Sequence, residues 1–114
     1  MKRLFISQPF HGRGEEEIFR ERENIEKIVR GIVDDDIEVI DQYHQDAPED
    51  ANRLFFLGNS IKLMGTADIV CFVDNWETAK GCAVEMKVCK KYNIPHIILA
   101  DDGTYWTSSD GWVI

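Results

Sequence analysis

No apolar run in this chain is long enough to cross a bilayer, so no membrane partner is expected. Basic residues are scarce: 13 Lys and Arg stand against 21 Asp and Glu, a formal net charge of −8. That balance argues against a phosphate-backbone binder, so no nucleic-acid polymer is expected as a partner. A small anionic ligand remains compatible, because it needs only a local site. Histidine and cysteine number three each, and His11, His44 and His96 are scattered without metal-ligand spacing. Neither a metal nor another cofactor is expected. An odd set of cysteines, Cys71, Cys82 and Cys89, in apolar surroundings points to free thiols in a reducing compartment. The opening residues hold too few apolar side chains for a signal peptide, which makes the cytoplasm the expected location. Repeats and low-complexity stretches are missing too. A length of 114 residues suits one domain, 1–114, around one core.

What is present alternates between two periods. Arg3 to Ser7 is a short apolar strand running into the loop Gln8-Pro9-Phe10-His11-Gly12. Glu15 to Val33 carries Ile18, Ile25, Ile28, Val29 and Ile32 at helical spacing, and Glu15-Glu16-Glu17 suits the positive end of the helix dipole. Asp34-Asp35-Asp36 is a solvated turn and Ile37 to Ile40 a second strand. A polar loop from Asp41 to Asp50 follows. The next helix spans about Asn52 to Met64, with Leu54, Leu57, Ile61 and Met64 on one face and Gly65 as its stop. Ile69 to Val73 is continuously apolar, as in the buried centre of a parallel sheet. A helix from Gly81 to Tyr92 leads to a strand at His96–Leu99, with Pro95 just before it. The tail holds Asp102-Gly103 and Asp110-Gly111 turns and a short edge strand at Trp112–Ile114. Such alternation predicts an α/β fold: a flavodoxin-like three-layer αβα sandwich with parallel sheet order 2-1-3-4-5. The loops after Ser7 and Val73 then face each other at the switch point.

Glu85 is the residue most at odds with its surroundings. At about 100° per residue, Cys82, Met86, Val88, Cys89 and Tyr92 share one stripe of the third helix. Lys87, Lys90 and Lys91 fall opposite, and Glu85 falls within the apolar stripe. An inward carboxylate costs several kcal/mol unless something pairs with it or uses it. The bland alternative is a glutamate of the helix's first turn, held there by the dipole. The strand–loop–helix context places it near the carboxyl edge of the sheet, where α/β proteins bind ligands.

Several segments carry a resemblance in the order in which they occur. Ile6-Ser-Gln-Pro-Phe10, Ala67-Asp-Ile-Val-Cys-Phe-Val-Asp74, Gly81-Cys-Ala-Val-Glu85 and Asn93-Ile-Pro-His-Ile97 resemble the nucleoside 2-deoxyribosyltransferase superfamily. The pattern Trp76-xxx-Lys80-Gly81-xxx-Glu85 is similar to its small, often phage-associated branch. The resemblance covers nearly the whole chain. It implies the flavodoxin-like fold, a homo-oligomer, and cleavage of the bond between a deoxyribose and a base. It also implies that Glu85 attacks the anomeric carbon and that water or a second base resolves the glycosyl-enzyme. Gly81 would let the backbone approach the ligand. Three positions depart from the pattern: Ser60 stands where an acidic residue is common, Ala79 where Asp or Ser is, and Gln8 where Gly is. Those positions serve sugar binding or proton transfer, and a lost general acid removes a factor of ~10²–10⁴. Asp74, at the end of strand three, is the candidate replacement, ahead of the loop histidines His11 and His44.

The candidate substrate-binding residues are Ser7, Gln8, Pro9, Phe10, Asp41, Ser60, Trp76, Lys80 and Gly81, with Glu85 and Asp74 as catalytic candidates. Each has a structural alternative. Trp76 can stack on a base or cover the sheet edge, and Lys80 can hold a phosphate at the helix start or point to solvent. Ser7 and Gln8 can satisfy loop backbone, and Asp68 suits a cap or turn. The expected ligand is a nucleoside or nucleotide. A non-catalytic nucleotide-binding module is the rival function. A flavin protein ranks below both, because the first loop lacks the Ser/Thr character that wraps a phosphate. Tyr105, Trp106 and Trp112, with Phe55 and Phe56, are more aromatics than a domain this small covers, so a homodimer or homotetramer using the second helix is expected.

Overall fold

The computed structural model describes residues 1–42 and 47–108. His44, the turn at 110–111 and the strand expected at 112–114 lie outside the described residues. The element order is β1 (Lys2–Ser7), α1 (Glu15–Val33), β2 (Ile37–Val39), α2 (Arg53–Met64), β3 (Ile69–Val73), α3 (Lys80–Lys91), β4 (His96–Leu99) and β5 (Tyr105–Thr107). A 3-10 turn at Trp76–Thr78 leads into α3. The sheet order is β2-β1-β3-β4-β5, as the alternation predicts. The first four strands pair in parallel, and β5 pairs antiparallel with β4. Residues 100–104 are too few for a crossover, so the chain can only turn back on itself. Within that turn Asp102 Oδ1 accepts from the Thr104 backbone N–H at 2.9 Å and its hydroxyl at 2.6 Å. Tyr105–Thr107 is therefore a strand where a loop was expected.

Right-handed crossovers dictate the layers. The step from β1 to β2 runs one way along the sheet, while β2 to β3 and β3 to β4 run the other. α1 consequently covers one face alone, and α2 and α3 cover the opposite face. Two core clusters record this. Leu4, Ile6, Cys71, Val73, Ile97 and Leu99 meet Ile25 and Val29 of α1. Phe5, Val70 and Phe72 meet Met64 of α2 and Met86 and Cys89 of α3. Odd and even positions of β1 thus address different helical layers.

α1 has the expected bounds. Its buried residues, Ile18, Arg22, Ile25 and Val29, follow the helical repeat. It ends at Asp34, whose left-handed φ of 52° is a conformation that aspartate tolerates. Gly65 caps α2 as expected, with φ −62°. Two expectations need correction. Leu54 is 74% exposed instead of facing inward, since it lies in the first turn, before the helix reaches the sheet. Tyr92 is 76% exposed because α3 has already ended and Tyr92 is its cap.

Phe72, fully buried in the central strand, tests this packing. Phe72→Ala should cost about 3–5 kcal/mol by urea denaturation, whereas exposed Lys87→Ala should stay within about 0.5 kcal/mol.

Candidate functional site

Ser7 is the last residue of β1, and its side chain continues the parity of Phe5 toward α3. There its hydroxyl donates to Glu85 Oε1 at 2.6 Å, a fully internal contact between residues 78 apart in sequence. Glu85 is only 7% exposed and sits in the second turn of α3, not the first. The helix dipole therefore does little to keep it ionised. Burial dominates and pushes its carboxyl up to about 7, against a smaller downward pull from the Ser7 hydroxyl. Among the described residues no ion pair involves it. Cys82, Cys89 and Cys71 are free and buried. Desolvation raises the Cys82 thiol to about 11 and the other two to about 12, so none is a nucleophile at neutral pH.

Gln8, the next residue, turns to the opposite layer. Its carbonyl oxygen accepts from Arg22 Nη1 at 3.0 Å, and its amide donates to Glu21 Oε1 at 2.6 Å. Arg22 is 7% exposed. Its Nη2 donates to the Ile40 carbonyl and to Gln42 Oε1, both at 3.0 Å, and the Gln42 amide donates in turn to the Ile6 carbonyl. Burial lowers the Arg22 pKa, and the charge of Asp41 opposes that. Arg13 joins the same network: its Nη1 donates to Glu21 at 3.0 Å and to the Pro9 carbonyl at 2.9 Å. The ends of β1 and β2 are therefore fixed around a buried guanidinium. Arg22, Arg13, Glu21 and Gln42 were not among the sequence candidates. The signal was available for Arg22, which occupies the apolar stripe between Ile18 and Ile25 just as Glu85 does in α3.

An open groove of about 480 Å³ lies at the carboxyl edge of the sheet. Arg13, Glu17 and Glu21 wall it on the α1 side. Asp74, Asn75, Glu77 and Thr78 come from the β3–α3 connection, and Asp101 from beyond β4. Asp74 is exposed and in this groove; Glu85 does not line it. The structure thus separates the two catalytic candidates. The Glu85 carboxyl is nearly enclosed, held by Ser7 at the end of β1.

The other candidates scatter. Phe10 is half-buried in the first loop, where its carbonyl accepts from the Arg13 backbone N–H at 3.2 Å. Asp41 is exposed at the end of β2. Ser60 is half-buried in α2. Trp76 lies edge-on against Phe72 at 6.2 Å, partly buried against the core on the α2–α3 face. Lys80 opens α3 and is exposed. A Cβ on Gly81 would meet no protein atom within 4 Å, so that position is open. Asp68 Oδ2 accepts from the Arg3 backbone N–H at 2.7 Å, capping the β1–β3 pairing at its amino end. His11 is exposed in its loop. Among the described residues no cluster of His, Cys, Asp and Glu could hold a metal ion, and no helix is long and apolar enough to cross a membrane.

The strand order, the reversal between β1 and β3 and the carboxylate beside the β1 end define a flavodoxin-like α/β protein. More narrowly, the chain has a nucleoside 2-deoxyribosyltransferase-like fold. It is similar to the 2-deoxyribosyltransferase of Bacillus psychrosaccharolyticus, with a TM-score of 0.60 at 18% identity over 98% of this chain and 76% of that one. No protein-family model matches the sequence, and neither does any curated protein.

Two outcomes follow from the buried charges. The Glu85 pKa lies above its ordinary value, so the folded state holds a proton that the unfolded state releases from about pH 4.5 upward. Stability from this residue is full below that pH, is lost as pH rises toward about 7, and stays lost above. Glu85→Gln should therefore match the wild-type stability near pH 4 and exceed it at pH 8, by on the order of 3 kcal/mol with a correspondingly higher Tm. A Tm difference independent of pH would contradict this. Arg22→Lys should cost ~2–4 kcal/mol by chemical denaturation, because a single ammonium cannot replace a fork that serves three acceptors.

Proposed function

We propose that this protein is a nucleoside N-glycosidase or deoxyribosyltransferase with Glu85 as its nucleophile. The observation that carries the proposal is the buried Glu85 carboxyl oriented by the Ser7 hydroxyl at the end of β1. The similar enzyme of known structure is a 2-deoxyribosyltransferase. In this mechanism a carboxylate oxygen of Glu85 bonds to the anomeric carbon as the bond to the base breaks, and the base leaves with that electron pair and a proton. Asp74, exposed in the groove, is the candidate donor of the proton. Water or a second base then displaces the carboxylate. A pKa near 7 leaves Glu85 a usable ionised fraction at neutral pH. An unphosphorylated nucleoside suits the groove better than a nucleotide, since five carboxylates face a single arginine there.

The rival reading, a binding module without turnover, is favoured by one observation: Glu85 does not line the groove. Chromatographic assay of a deoxynucleoside panel separates the two. Enzyme gives free base, at a rate that rises with pH through about 7 as Glu85 ionises, and Glu85→Gln abolishes it. A module binds the intact nucleoside, and neither form of the protein releases base. Release of base by Glu85→Gln at the wild-type rate would remove Glu85 from the chemistry.

A further inference from the structure

Buried polarity in this protein is gathered at one place. Among the described residues the buried polar or charged side chains are Ser7, Gln8, Arg22, Gln42, Glu85 and His96. All but His96 meet at the end of β1. The backbone alone does not secure that end. On the β2 side the ladder stops where the Ile40 N–H donates to the Leu4 carbonyl at 2.8 Å. The next β1 carbonyl on that side, Ile6, accepts from the Gln42 side chain instead. Gln8 is then anchored from α1 by Arg22 Nη1 at 3.0 Å, and Pro9, with no N–H to offer, follows at once. On the β3 side Ser7 is the last residue in register, opposite Phe72, and its hydroxyl reaches Glu85 at 2.6 Å. Ser7 and Gln8 are only 1% and 5% exposed, so water is poorly placed to replace either contact.

We propose that Gln8 is a positioning residue for Glu85: pinned by Arg22, it sets the backbone so that the Ser7 hydroxyl stays on the Glu85 carboxyl group. Its bearing on activity rests on the reading of Glu85 as the nucleophile; the contact itself does not. Successive side chains of a strand leave the backbone on opposite sides, so a twist of the chain at Gln8 also moves Ser7. A short hydroxyl–carboxylate bond weakens steeply as its angle opens. Arg22 is suited to be the anchor, because its planar fork is also fixed by the Ile40 carbonyl and by Gln42. The other buried titratable groups of the α2–α3 layer are Cys82 and Cys89 of α3 and His96 of β4, the last edge-on to Phe72 at 6.0 Å. Burial keeps both thiols protonated through neutrality, so neither brings a charge to Glu85 there. The Ser7 hydroxyl is the group that favours the ionised carboxylate against burial.

The experiment follows the Glu85 carboxyl carbon by NMR through a pH titration of the whole chain, with the signal assigned by its loss in Glu85→Gln. Ser7→Ala should move the midpoint above the wild-type value of about 7. Gln8→Met keeps the length of the side chain and its lack of charge but not its hydrogen bonds, and should raise the midpoint by at least about half as much. The double variant Ser7→Ala/Gln8→Met should titrate like Ser7→Ala alone, because the effect of Gln8 passes through the hydroxyl. Ile25→Val, a mild change in the core beneath α1, should leave the midpoint in place. Circular dichroism confirms that each variant is folded. If Gln8→Met does not fold, Gln8→Asn, whose amide is too short to reach Arg22, carries the same expectation. The inference is overturned if the Gln8 variant leaves the midpoint unmoved, if the two single shifts add in the double variant, or if Ile25→Val shifts it as much. Base release from a deoxynucleoside tests the nucleophile separately. If the wild type releases base, Gln8→Met should lower kcat at pH 7 more than it changes KM. If it releases none, the reading of Glu85 as nucleophile fails, and the titration still decides the role of Gln8.

Discussion

The right-handedness of the crossovers is the constraint on which the rest of this structure depends. With the order β2-β1-β3-β4, it forces α1 to one face and α2 and α3 to the other. β1 is then the strand whose end both layers share. Its last residue, Ser7, faces α3 and meets Glu85, and the following residue, Gln8, faces α1 and meets Arg22. One buried charge from each layer is thereby delivered to two consecutive residues. Neither arrangement is free of cost, because a charge drawn from water loses its hydration. The two layers resolve that cost differently. Arg22 keeps its proton and surrounds itself with oxygen acceptors, while Glu85 has a single hydroxyl partner and shifts toward its neutral form.

Most of the architecture was legible because it rests on periodicity. The isoleucines of α1 and the apolar run of β3 set their elements to the residue, and the order of β and α segments set the sheet. β5 was not legible, and its segment reads as a loop. Its three residues are all exposed and show no inside–outside alternation, and its pairing comes from the short turn before it. The interior of the site was half legible. Glu85 stood out because a carboxylate interrupted an apolar stripe. Arg22 interrupts the α1 stripe in the same way, but long basic side chains ordinarily reach from such positions to solvent, which masks the signal. The groove was legible only in part: the facing loops after Ser7 and Val73, with Asp74, follow from the strand order, whereas Arg13 and Asp101 join it only through the fold.

The two helical layers also differ at their surfaces. On α1 two basic side chains are held by neighbours one turn away, Arg20 by Glu16 at 2.7 Å and Arg30 by Glu26 at 2.9 Å. Such pairs are worth a few tenths of a kcal/mol each, and their larger effect is to leave little net charge for a partner. The lysines of α3 have no such neighbours in their own helix.

The two edges of the sheet are as short as edges come. β2 and β5 are three residues each, against six for β1 and five for β3. Among the described residues, a foreign strand seeking backbone partners finds only three residues of template at either border, on opposite sides of a longer interior. Lateral growth of the sheet, the route by which exposed strands recruit one another into fibrils, is therefore starved of its first rungs. The same brevity that hid β5 from the sequence helps to keep this protein from polymerising through its backbone.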